Sequence, residues 1–246
     1  MNKKFLFFMG FVILTITAKG QTQRIDSTAV FLLHRTSETL QDITSCSFTT
    51  VTTYDVFNEH LGLIKHALNE KVTMKFPNKM KVISSGDKGN KGLWYNGKTL
   101  NYYSFDNNTY ASTTAPGSII ETIDEISKKF GIEFPGADFF YPDFLKDLFS
   151  EQGNLVFLGK TIVDGRECFH IAGSDTTKSF QFWIANDDLF LPVKLVIIYT
   201  NDKDKPQYEA IYKDWIVNTD YPNSMFEFMT PPKATKVKLA PRETTK

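Results

Sequence analysis

Residues 92–99 read Gly-Leu-Trp-Tyr-Asn-Gly-Lys-Thr, and the fold turns on what these eight residues form. They match the phosphate-loop pattern G-x-x-x-x-G-K-[ST] letter for letter. A phosphate loop follows a buried strand and opens a helix, so that backbone N–H groups and the helix N-terminus surround the anion. Neither flank meets that requirement. Residues 98–105 (Lys-Thr-Leu-Asn-Tyr-Tyr-Ser-Phe) are rich in β-branched and aromatic side chains, which favour strand. Leu93, Trp94 and Tyr95 are too bulky for a tight anion nest. Asn96-Gly97 is the signal of a type I′ turn, with positive φ at both residues. A β-hairpin is expected here, and no nucleotide. A second Gly-Lys-Thr, at residues 159–161, also lies among strand formers.

The chain has 246 residues, and the first twenty read as an export signal. Lys3 and Lys4 form the basic start, residues 5–16 the apolar stretch, and Ala18-Lys19-Gly20 the small-residue cleavage site. The apolar stretch is short for a membrane span, which weighs against an uncleaved anchor. No Cys stands near the cleavage point, which argues against a lipid-modified N-terminus. Residues 21–235 are expected to form a single domain, and residues 236–246 a flexible basic tail that loosens after Pro231-Pro232. Without the signal, 25 basic residues face 28 acidic ones, a formal charge of −3. That balance gives no footprint for nucleic acid or an anionic membrane. The 22 Phe imply a sizeable core, or a core plus an apolar cavity.

The remaining pattern alternates strands with a helical insert. A first helix is expected over residues 27–43, capped by Asp26, with Ala29, Leu32, Leu33, Thr36, Leu40 and Ile43 on one face. Strands follow at residues 47–54, 72–76 and 79–83, then a Gly- and Lys-rich turn over residues 84–92 and a strand at 109–113. Ser118-Ile119-Ile120-Glu121 is a capping box that opens a helix with the stripe Ile123, Ile126 and Phe130, closed by Gly131. Asp143 is a candidate cap for a short helix over residues 144–149. Asp164-Gly165 marks another hairpin, and residues 180–184, 192–199 and 207–217 read as further strands. The absence of βαβ alternation argues for an antiparallel α+β fold with helices on one face.

Chemistry-bearing residues are few. His34, His60, His66 and His170 show no metal-ligand spacing, so no metal and no cofactor are expected. Cys168 and His170 share a strand face, about 7 Å apart, farther than direct proton transfer prefers. A buried thiol beside a hydrogen-bonded imidazole is the simpler state, and this pair is the one candidate for catalysis. Ser85-Gly-Asp-Lys88 matches S-x-x-K inside a turn and lacks its companion motifs. Cys46 and Cys168 could pair after export or stay apart as two buried thiols. Strands at residues 180–184 and 193–199 are apolar on both faces. They are therefore buried on both faces, or they line an apolar ligand space. The expected lining of such a space is Ile123, Ile126, Phe130, Phe139, Phe140 and Phe182.

From about Leu40 to Ala234 the chain resembles a bacterial family of predicted periplasmic proteins within the lipoprotein-carrier-like (LolA/LolB-like) fold group. The marks begin with residues 95–98 (Tyr-Asn-Gly-Lys), Tyr110, residues 115–117 (Ala-Pro-Gly) and Leu158-Gly159. They continue through residues 163–165, Cys168, His170, Trp183-Ile184, Leu191-Pro192 and Trp215, and end with residues 226–228, Pro231 and Ala234. The resemblance implies a curved antiparallel sheet, an incomplete barrel wrapped round a helical plug. It also implies a lipid or lipoprotein in the concave space, in a protein exported to the periplasm or secreted. It assigns no catalytic or ligand residue. Two functions follow as expectations. One is a non-enzymatic protein that binds an apolar ligand, a lipid or acylated protein, between sheet and helices. The other is an envelope sensor or scaffold with a packed core and a protein partner.

Overall fold

The structure, a computed structural model, describes residues 24–130, 137–142, 145 and 153–239. The expected signal, the Gly131 stop, the helix over residues 144–149 and the end of the tail lie outside the described residues. Helix α1 (Ser27–Asp42) begins where Asp26 accepts from the backbone N–H groups of Thr28 and Ala29. Ala29, Leu32, Leu33, Thr36 and Leu40 are buried along one face at helical spacing, as the sequence predicts.

Among the described residues twelve strands follow in chain order. The first six are β1 (Ser45–Asn58), β2 (Gly62–Lys75), β3 (Lys79–Gly86), β4 (Gly89–Tyr95), β5 (Thr99–Ser104) and β6 (Thr109–Thr114). Helix α2 (Ile119–Phe130) and a turn of 3-10 helix, Ala137–Phe140, interrupt them. The second set is β7 (Asn154–Val163), β8 (Arg166–Ser174), β9 (Lys178–Ala185), β10 (Pro192–Tyr199), β11 (Gln207–Val217) and β12 (Thr235–Lys236). All belong to one sheet of order β12-β6-β5-β4-β3-β2-β1-β11-β10-β9-β8-β7. The two β-rich halves therefore join through β1 and β11, and the edges β12 and β7 do not close on each other. Every pair is antiparallel except β12 with β6. Both helices contribute to one core cluster with strands from both halves, so they cover one face, called here the inner face. This is the open sheet over helices that the resemblance implies.

Residues 92–99 span β4, a turn and β5, and so form the expected hairpin. The turn itself differs from type I′. Gly97 alone takes positive φ (89°), and Asn96 Oδ1 accepts from the N–H groups of Lys98 and Thr99. The Asn side chain thus closes the turn in place of a second left-handed residue. At Asp164-Gly165 both residues have positive φ, which is the type I′ pattern.

Three expectations need correction. The turn over residues 84–92 shrinks to Asp87-Lys88, because Gly86 pairs with Gly89 and the strands run up to both. The strand expected at residues 72–76 starts ten residues earlier, at Gly62, where its mixed inward face hides the alternation. The tail does not loosen at Pro232: Thr235 pairs with Thr109, and the Val237 N–H donates to the Tyr110 carbonyl. The capping box forms as expected in that the Ser118 hydroxyl accepts from the Glu121 N–H, while the Glu121 carboxylate reaches back to that hydroxyl.

Candidate functional site

Side chains two apart on a strand share a face, so each strand of the first half sends every second residue inward. On β1 these are Phe48, Thr50, Thr52 and Tyr54, and on β2 they are Leu68, Glu70, Val72 and Met74. Met80, Val82 and Ser84 follow on β3, Leu93 and Lys91 on β4, and Tyr102 on β5. The register aligns them into rows across the strands. One row runs Phe48, Val72, Val82, Leu93, Tyr102. The next runs Tyr212, Thr50, Glu70, Ser84, Lys91. Toward α2, Met74 pairs with Met80.

These rows form one wall of a cavity of about 770 Å³. The α2 residues Ile119, Ile120 and Ile123, with Ala137 and Phe140, form the opposing end. Two bonds hold α2 in place there. The Ile119 N–H donates to the Pro77 carbonyl at 2.8 Å, and the hydroxyl of fully buried Tyr95 donates to the Pro116 carbonyl. From Phe48 to Tyr54 the wall extends about 20 Å at the rise of a strand. At the far end stand Asp55, Lys88, Asp202 and Gln207. Asp55 is engaged by Lys65 at 2.9 Å and by the Gln207 N–H, and Lys88 lies 5.3 Å over the Tyr54 ring.

Glu70 is the one carboxylate in the middle of the wall. The Ser84 hydroxyl donates to it at 2.8 Å. Burial pushes its carboxyl above the usual carboxylate value, against the smaller opposing effects of the Ser84 and Thr50 hydroxyls. The Tyr208 hydroxyl, beside Thr52, is likewise pushed up, chiefly by burial.

Of the six residues expected to line an apolar space, Ile123 and Phe140 line the cavity. Ile126, Phe139 and Phe182 are buried in the core, with Phe139 and Phe182 packed edge to face at 5.2 Å, and Phe130 packs on the cluster. The lining residues missed from sequence are Phe48, Val72, Val82, Leu93, Tyr102 and Glu70. For Val72 and Val82 the signal is alternation of apolar and polar residues, with Val72 and Met74 between Lys71, Thr73 and Lys75, and Met80 and Val82 alternating with Lys79 and Lys81; Glu70 breaks that alternation and has no such signal.

The catalytic candidate pair is not assembled. His170 Nε2 is 3.0 Å from Gln181 Oε1, and the ring stacks on Trp183 at 4.2 Å. The Cys168 thiol donates to the Arg166 carbonyl, and burial raises it. It packs with Ala185 and Val193 in a cluster separate from the main core. Cys46 sits in the main core, so both cysteines are free thiols, and the disulfide alternative falls. His34 and His60 are exposed, and His66 contacts Asp87 at 3.2 Å. Among the described residues no cluster of His, Cys, Asp or Glu could hold a metal. No described helix is long and apolar enough to cross a membrane.

Several marks of the resemblance have structural roles. The Trp215 indole donates to the Pro192 carbonyl at 3.0 Å and packs on Phe48 at 4.3 Å. Asn96 donates to Glu227 at 2.8 Å, and Phe228 packs on Trp94, Tyr103 and Tyr110. Gly159 has φ of 103° at an irregularity in the β7–β8 ladder.

No curated protein matches the chain. Among solved structures it is similar to the lipoprotein LppX of Mycobacterium tuberculosis, with 16% identity over 79% of this chain and 100% of that one, at a TM-score of 0.47. It is similar to LprF of Mycobacterium bovis, with 14% identity over 80% and 97%, at a TM-score of 0.48. It is also similar to the LolA superfamily protein NE2245 of Nitrosomonas europaea, with 11% identity over 81% and 97%, at a TM-score of 0.37. These likenesses are distant, and the sequence carries the assignment. Residues 29–240 match the model of the predicted periplasmic protein family DUF2092, and the chain belongs to that family of periplasmic proteins.

Proposed function

We propose that this periplasmic protein binds an apolar ligand, a lipid or the acyl chain of a lipid-modified protein, between its sheet and helix α2, and that it catalyses no reaction. The observation that carries this function is the cavity of about 770 Å³, walled by Phe48, Val72, Val82, Leu93, Ile119 and Ile123. Small-molecule sites span about 300–1,000 Å³ and are lined mostly by apolar and aromatic side chains with a few polar groups. Both properties hold here. An envelope scaffold that acts only through a protein partner has no need of such a space. Ile123 and Phe140 are proposed as ligand contacts, while Ile126, Phe130, Phe139 and Phe182 pack behind the wall and hold it. Cys168 and His170 do not line the cavity and are proposed as structural.

The test is organic extraction of the mature protein purified from the periplasm, with mass spectrometry of the extract, together with titration of a fluorescent long-chain acyl probe. A recurring amphiphile in the extract and saturable uptake of the probe are expected. A clean extract together with no uptake would overturn the proposal.

A further inference from the structure

The inner wall carries one polar row among apolar ones. Thr50, Glu70, Ser84 and Lys91 are register partners on β1, β2, β3 and β4, bounded by the Phe48, Val72, Val82 row and by Leu68. Ser84 donates to one oxygen of Glu70, and among the described residues the carboxylate forms no ion pair. Beside it, Thr50 and Thr52 are 5% and 2% exposed and line the cavity. Neither hydroxyl has a hydrogen-bond partner of good geometry, although Thr50 lies close enough to favour the charged form of Glu70 and Thr52 lies beside the Tyr208 hydroxyl. Buried hydroxyls left this way are costly, and the cost is recovered when a ligand supplies the partner.

Resting on the proposal that the cavity holds an apolar ligand, we propose that Glu70, Thr50 and Thr52 form a polar-group site inside it. This site selects an amphiphile whose polar group donates a hydrogen bond and bears no negative charge, an alcohol or an amine. An alcohol O–H donates to the Glu70 oxygen that Ser84 does not engage while its own oxygen accepts from a threonine hydroxyl. An ammonium donates to the same carboxylate and also neutralises it. A carboxylate head there would set two like charges together away from water, which is unfavourable. Two cations also line the cavity. Lys88 lies over the Tyr54 ring, and Lys91 pairs with Ser84, one strand beyond Glu70, so the acid is the competitor that tests the preference.

The experiment is displacement of a bound fluorescent acyl probe from the mature protein by hexadecanol, hexadecylamine and hexadecanoate, at neutral pH. The alcohol or the amine should compete at a concentration about tenfold below that of the acid, the size of one hydrogen bond to a charged group. Equal competition by alcohol and amine identifies a neutral donor as sufficient, whereas competition by the amine alone identifies ion pairing. Glu70→Gln should erase the preference over the acid, and Thr50→Val should weaken the alcohol. Should Glu70→Gln fail to fold, the ranking on the unaltered protein together with Thr50→Val decides. Acid binding as tightly as alcohol and amine overturns the polar-group site and leaves the apolar cavity standing. No binding of the probe or of any competitor overturns both.

Discussion

Val82→Phe separates an open cavity from a filled core by the sign of its effect on stability. Val82 is 5% exposed and stands in the middle of the inner wall, between Val72 and Leu93 across the ladder. In a closely packed core the larger ring has no room, and overpacking costs about 1–3 kcal/mol. In the cavity the ring enters empty space against Phe48, Val72 and Leu93. About four carbons are added, and at roughly 0.8 kcal/mol for each when fully buried the ceiling is about 3 kcal/mol. The cavity is open on one side, so burial of the new ring is partial, and a gain of about 1 kcal/mol is expected. For a domain of this size that shifts the melting midpoint upward by about 2–4 °C. Urea denaturation with an unchanged m-value reads the sign directly. In parallel, affinity for a long-chain acyl probe should fall at least tenfold, because the ring crosses the space the chain would occupy. A variant destabilised by 1–3 kcal/mol that binds the probe unchanged would refute the placement of Val82 on a ligand cavity.

Other perturbations test separate parts of the account. Gly97→Val sets a β-branched residue at φ of 89° with its Cβ within 2.8 Å of Asn78, so a loss of about 2–3 kcal/mol is expected in urea melts. Lys98→Ala in the same turn should stay within about 0.5 kcal/mol and leave ATP binding undetectable, since Lys98 is exposed and the segment is a β-hairpin that opens no helix. Glu70 has a carboxyl raised in the fold above its ordinary value of 4.5, so ionising it costs more in the native state than in the unfolded chain. That cost is absent well below pH 4.5 and grows as the pH rises through 4.5 toward the folded value. Thr50, Ser84, Tyr208 and Lys91 face it across the ladder and the cavity, and burial moves the Tyr208 hydroxyl upward, away from that window. Glu70→Gln should therefore be more stable than the parent at pH 7, with the gap closing at acid pH; equal stability at every pH would remove Glu70 from the wall. Cys46, fully buried with its thiol pushed up to about 12, and fully buried Cys168 should both resist a thiol reagent at pH 8 and react once unfolded. Rapid labelling of either thiol in the folded protein would contradict their burial.

Much of the architecture is legible in the sequence because local signals and tertiary demands agree. Asp26 caps α1 and the helical spacing of Ala29, Leu33 and Leu40 matches the buried face. Asp164-Gly165 makes its hairpin by the expected backbone geometry. The full length of β2 is not legible, because its inward positions include His66 and Glu70 as well as Leu68 and Val72. A period-2 pattern fades where inward positions are polar, and those polar positions are where the site lies. The lining is only half legible for a different reason. An apolar residue on an inner face looks the same in sequence whether it meets another side chain or a space. Phe139 and Phe140 are neighbours in the chain, yet Phe139 packs on Phe182 while Phe140 reaches the cavity. The cavity itself depends on where α2 stands against the sheet, which Tyr95 bonding to Pro116 and Ile119 bonding to Pro77 help to set. Neither bond can be read from spacing. The phosphate-loop match is resolved in the same physical terms, since Gly92 lies within β4 and a Cβ there would meet the Trp94 ring.

The most direct test of the central claim is native mass spectrometry of the mature protein, purified from the periplasm without detergent. A cavity that holds an apolar ligand predicts a population carrying a discrete added mass. That mass should disappear after solvent extraction, return with added amphiphile, and be absent from Val82→Phe. A spectrum showing only the bare polypeptide, before and after exposure to alcohol, amine and acid amphiphiles, would contradict it.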